Sequence, residues 1–145
     1  MVDPGSVGGG GLGRALGGAA GNAIVRRRAE KYVNEGKAEL ALRIVDGTHE
    51  GLKSGWRKGV ATLAPGRLEF ASSVGGFQPW RRAPVAVQIT AIDASAPRKA
   101  SPKDAISLDA DSLIVPVMTP TARLELAVQP PYRLEWVLGR MWPPG

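Results

Sequence analysis

Lys53-Ser54-Gly55-Trp56-Arg57-Lys58-Gly59-Val60-Ala61-Thr62-Leu63-Ala64-Pro65-Gly66-Arg67-Leu68-Glu69-Phe70 is the stretch on which the fold turns. In an extended chain Trp56, Lys58, Val60 and Thr62 share one direction. Pro65-Gly66 then reverses the chain, and Leu68 and Phe70 resume the alternation. A period of two on both sides of a Pro-Gly turn predicts an antiparallel β-hairpin with one buried face.

On the N-terminal side of the hairpin, residues 38 to 46 alternate. Leu40, Leu42 and Ile44 share one face and Glu39, Ala41, Arg43 and Val45 the other, which predicts a first strand. Residues 46 to 55 are rich in turn formers and read as a loop. Downstream, Val85, Val87, Ile89 and Ala91 form a strand pattern after a long connection over 72–84. Ile106 and Leu108 begin a short strand, Leu113 to Val117 another, and Ala122 to Val128 the last. Asp109-Ala110-Asp111 and Thr119-Pro120 supply turns, and residues 94–104 make a basic excursion at the surface. Pro116 has no N–H to give a ladder, so its strand is expected to be an edge or to break there. Pro130-Pro131 is expected to open a helix through Met141. Leu134, Val137, Leu138 and Met141 make one apolar stripe on it, which needs a sheet to cover.

The front of the chain differs in composition. Residues 1–11 are Gly-rich and have little to bury. Residues 12–34 carry Leu, Ala, Ile and Val, then Arg26-Arg27-Arg28, and the later half predicts a helix stopped at Gly36. Gly13, Gly17 and Gly21 fall four apart, a spacing that lets another helix approach closely. The apolar stretch from Gly5 to Val25 contains Arg14 and few strongly hydrophobic residues, short of the roughly 20 apolar residues of a spanning helix. The chain is therefore divided into a flexible or partly helical basic arm, 1–36, and a β domain with a C-terminal helix, 37–142.

The totals narrow the chemistry. A chain of 145 residues holds one core of ordinary size. There is no cysteine, which removes disulfides, thiolate metal sites and cysteine nucleophiles. His49 is the single histidine, and no Gly-x-Ser-x-Gly elbow or P-loop ending is present, so no catalytic residues and no cofactor are expected. Asp109 and Asp111 lack the Gly and closing Glu of a calcium loop and read as turn formers. A formal net charge of +6 favours an anionic partner. Aromatic residues make up 6% and do not alternate with Lys or Arg along a strand, which places nucleic acid behind membrane and protein as that partner.

The order of about seven short antiparallel strands, Lys-x-x-Gly-Trp-x-x-Gly (Lys53 to Gly59) opening the hairpin, and a closing amphipathic helix containing Trp136 resembles the pleckstrin-homology fold. An arginine run, a strand with Leu42-Arg43, Gly55 to Val60 and Gly66 to Phe70 together resemble the actinobacterial DUF2550 family of small membrane-associated proteins over about residues 24–141. That resemblance implies a mainly β, bent sandwich or barrel capped by its C-terminal helix, at the cytoplasmic face of a membrane. It also implies that Lys53, Arg57 and Lys58 are the nearest match to the phosphate-clasping residues of lipid-binding members.

Lys53, Arg57 and Lys58, joined by Arg81 and Arg82, are thus the candidate anion or headgroup site, because ammonium and guanidinium groups give phosphate charge-assisted donors. Arg26, Arg27 and Arg28, with Gly13, Gly17 and Gly21, make the candidate membrane- or partner-binding arm. Trp56 and Trp136 read as core, while Trp80 and Trp142 divide between core and contact. The expected function is a noncatalytic binding or assembly module, peripheral at the inner face of the cell membrane, with anionic lipid or a protein as partner. The alternatives are a homo-oligomeric scaffold assembled through the Gly-spaced segment and a basic nucleic-acid-binding protein.

Overall fold

A computed structural model describes residues 21–72 and 84–144. Helix α1 (Gly21–Asn34) is followed by strands β1 (Lys37–Gly47), β2 (Arg57–Ala64), β3 (Arg67–Ser72), β4 (Val85–Gln88), β5 (Ala91–Ile92) and β6 (Arg98–Lys99). A single 3-10 turn (Asp104–Ile106) precedes β7 (Leu113–Met118), β8 (Ala122–Val128) and helix α2 (Leu134–Met141). The strands make one antiparallel sheet in the order β4-β3-β2-β1-β8-β7-β5, with β6 also on β7. The protein is mainly β, a curled half-barrel closed by its C-terminal helix, as the sequence predicted.

The hairpin forms where expected. Leu63 lies opposite Leu68 and Ala61 opposite Phe70, and Gly66 takes the positive φ of 73° that the turn needs. The face that enters the main core is Gly59, Ala61 and Leu63, so Trp56, Lys58, Val60 and Thr62 point to the outer face. On β1, Ala38, Leu40 and Leu42 point inward and meet Leu68, Phe70, Val87, Val117, Leu124 and Leu126 in one cluster. Residues from both ends of the sheet share that cluster, which requires the sheet to curl around it.

Helix α2 fills the mouth. Leu134, Val137, Leu138 and Met141 are all buried, the stripe read from the sequence. The helix starts later than predicted, at Leu134. Residues 129–132 close a turn through Tyr132 N–H to Gln129 C=O at 3.1 Å, and Arg133 is still extended (φ −96°, ψ 131°), so the two prolines belong to the approach. The end of α2 ties to the hairpin, with Gly66 N–H donating to the Met141 carbonyl at 3.1 Å.

Three further expectations change. The alternation from Val85 to Ala91 is not one strand: β4 ends at Gln88 against β3, and Ala91 begins β5 against β7 at the other end of the sheet. Residues 106–108 are not a strand: the Asp104–Ile106 turn leaves Ile106 84% exposed while Leu108 is buried, an arrangement that alternation does not produce. β7 is unbroken at Pro116. The Pro116 carbonyl accepts Asp93 N–H at 3.0 Å, so Pro116 turns its backbone polar groups away from β8, toward the side where β5 and β6 leave a gap. The missing proton therefore costs the β7–β8 ladder nothing.

Helix α1 ends at the predicted stop, with Gly36 at φ 73° and its N–H donating to Val33 C=O at 3.0 Å. Ala29 is buried in the main core, and Tyr32 and Val33 pack against it. Among the described residues no helix is long and apolar enough to cross a membrane. Gly13, Gly17, Trp80, Arg81 and Arg82 lie outside the described residues.

Candidate functional site: a cationic helix and its groove

A helix beside a sheet must bury one stripe, and the rest of its surface is then fixed in direction. In α1 the buried position is Ala29, so Arg26, Arg27, Arg28 and Lys31 are all exposed, with Ile24 63% exposed among them. Gly21 is the first residue of this helix. Its seat is locked by one carboxylate. Glu39 on β1 accepts Arg28 Nε–H at 3.1 Å and, on the same oxygen, the Tyr132 hydroxyl at 3.0 Å. Burial first, and then the Glu39 charge, push the Tyr132 hydroxyl well above its ordinary pKa, so it stays a donor. Glu39 thereby joins α1 to the approach of α2.

Between α1 and that approach runs a groove of about 470 Å³. Its apolar lining includes Ala29, Val33, Pro131 and Trp136, with Arg26 on one wall and Arg133 on the other. The Arg140 guanidinium lies over the Trp136 ring, 5.6 Å from its centroid. Trp136, read as core, is half-buried: it packs against the core and also faces the groove. Trp142 is 47% exposed.

A second polar assembly sits on the outer face of the sheet. Ala41, Leu108, Ile114 and Ala127 form a small separate cluster there, with Trp56 and Ala100 packed against it. Trp56 is therefore half-buried outside the main core. Its indole N–H donates to Asp104 Oδ1 at 3.1 Å, and the Arg43 guanidinium lies 5.2 Å from its ring centroid. Arg98 donates to Asp104 Oδ2 at 2.7 Å and to both oxygens of Glu125 at 3.1 and 3.2 Å, and Arg43 reaches Glu125 Oε1 at 2.6 Å. Burial pushes the Asp104 carboxyl up, but Arg98, Ser101 and Trp56 outweigh it and hold the group well below the usual carboxylate range. Glu125 is lowered in the same way: burial opposes, and Arg98 and Arg43 prevail. A recess of about 750 Å³ beside this network is lined by Trp56, Lys103 and Ile106 among others. Its two arginines are already engaged by carboxylates, so its chemistry is that of a latch holding the 98–112 excursion to the sheet.

The residues predicted for an anion site are separated. Lys53 is exposed in the loop before β2, where its carbonyl accepts Ile44 N–H at 2.7 Å. Arg57 and Lys58 are adjacent in β2 and therefore point to opposite faces, Arg57 paired with Leu42 and Lys58 with Ala41. His49 is held locally by its ring Nδ1 and the Glu50 carbonyl, 2.9 Å apart, and no group of metal-ligating side chains occurs among the described residues. Asp109 caps its own turn through Asp111 N–H at 2.8 Å, as read from the sequence. The sequence reading missed the Glu39 lock and the Trp56–Asp104 latch. Both depend on which strands become neighbours, and the only local signals were the outward parity of Glu39 and Arg43 on β1.

Comparison of the chain with protein-family models, with curated proteins and with solved structures finds no match.

Proposed function

We propose that this protein is a noncatalytic binding module that docks on an anionic membrane surface through the exposed face of α1. The observation that carries this reading is the fixed orientation of that helix: Ala29 is buried, Arg27, Arg28 and Lys31 flank an exposed Ile24, and Arg26 stands exposed at the edge of the groove. Cations beside an anionic leaflet contribute on the order of 1 kcal/mol each, and an apolar residue among them adds area to bury at the interface. The net charge of +6 supports the same partner class. The resemblance to DUF2550 proteins supports a place at the inner face of the cell membrane.

The test is co-sedimentation of the full chain with phosphatidylglycerol-containing and with pure phosphatidylcholine vesicles, at low and moderate salt. Binding to the anionic vesicles alone, weakened by salt and reduced about thirtyfold in an Arg26→Gln/Arg27→Gln variant, is expected. Unchanged binding by that variant, or none by the parent chain, would overturn the proposal.

A further inference from the structure

The groove beside α1 has a composition that the outer face of the helix does not explain. Among the residues that line it, Arg26 and Arg133 are cationic and Glu30 is anionic. The floor between them is apolar: Ala29, Val33, Pro131 and Trp136. An apolar floor with one arginine on each wall suits an amphipathic anion, whose charge meets the rim while its hydrocarbon part covers the floor. The volume, about 470 Å³, is that of a site for one small ligand, within the roughly 300–1,000 Å³ such sites span.

Resting on the membrane reading above, we infer that this groove holds the headgroup end of a single anionic phospholipid, its phosphate between Arg26 and Arg133 and the first carbons of one acyl chain over Ala29, Val33 and Trp136. Glu30 lines the same wall as Arg26 and repels additional negative charge. The headgroup selected is accordingly one of single negative charge, such as phosphatidylglycerol, over a polyphosphorylated inositol. The lock at Glu39 gives the site its rigidity, because it fixes both walls to one carboxylate.

The experiment is a titration of the full chain with dihexanoyl phosphatidylglycerol below its micelle concentration, followed by two-dimensional amide and indole NMR. Dihexanoyl phosphatidylcholine, inorganic phosphate and an acidic Glu/Leu amphipathic peptide are parallel arms. Saturable shifts at Ala29, Val33, Arg133 and the Trp136 indole with phosphatidylglycerol, about tenfold weaker in Arg133→Gln and unaltered in Arg123→Gln, on the exposed side of β8, are expected. Equal shifts with phosphate alone would reduce the site to an anion contact and overturn the inference. So would groove shifts produced by the peptide but not by the lipid, which point to a protein occupant, or shifts that grow with protein concentration in the absence of lipid, which point to a second copy. Vesicle binding without any short-chain lipid shift sinks this inference and leaves the membrane reading standing, whereas loss of both sinks the two together.

Discussion

The Trp56 indole and the Asp104 carboxylate, 48 residues apart, meet at 3.1 Å on the outer face of the sheet. That bond, with Arg98 on the other carboxylate oxygen, holds the excursion between β6 and β7 over Ala41 and Ala127. Replacing Trp56 with Phe keeps an aromatic surface for Arg43 and removes only the N–H. Because the acceptor is a buried carboxylate, a loss of about 1.5–3 kcal/mol in urea unfolding is expected, with faster amide exchange confined first to residues 98–112.

The same latch sets the acid behaviour. The folded-state pKa values of Asp104 and Glu125 lie below their unfolded values. The stability they contribute is therefore present above the unfolded pKa of about 4 and lost as pH falls below it toward the folded pKa. Urea midpoints measured at pH 7 and pH 3 should fall on acidification, and Asp104→Asn should show a smaller fall from an already lower start. An equal fall in both chains would remove Asp104 from the account.

Met141 is fully buried at the end of α2, while its neighbour Trp142 is about half exposed. Met141→Ala should cost about 2–5 kcal/mol through the cavity it leaves. Trp142→Ala should cost much less, within about 1 kcal/mol. Thermal unfolding of the two variants side by side checks whether α2 is the plug of the half-barrel.

Ala29 is the point where α1 enters the core. A buried carboxylate there would lack a partner, so Ala29→Glu should release α1 while the sheet persists. Amide protection should vanish over residues 21–34 and remain in β1, β2 and β8. Global unfolding instead would mean that the sheet depends on the helix.

The hairpin, the strand pattern of β1 and β8, the stripe of α2 and the stop at Gly36 were legible because each is written in neighbouring residues: period, turn formers and a positive φ. The neighbours that the candidate surface residues acquire were not. Lys53, Arg57 and Lys58 look clustered in sequence, but consecutive strand residues diverge, and only β1–β2 register assigns Arg57 and Lys58 to their faces. The arginine run could be read as a charge cluster. Its outward direction follows from Ala29 being the residue that is buried, and from Glu39 and Tyr132, 93 residues apart, sharing a hydrogen bond. Tertiary pairings of that separation leave no periodic trace.

Pro116 carries one more implication, for how copies of this protein meet. On its side of the sheet the prolyl nitrogen has no proton to offer and the carbonyl is already taken by Asp93, while the flanking β5 and β6 are two residues each. An incoming strand finds no continuous row of donors and acceptors there, so this border of the sheet is guarded against strand-to-strand pairing between copies.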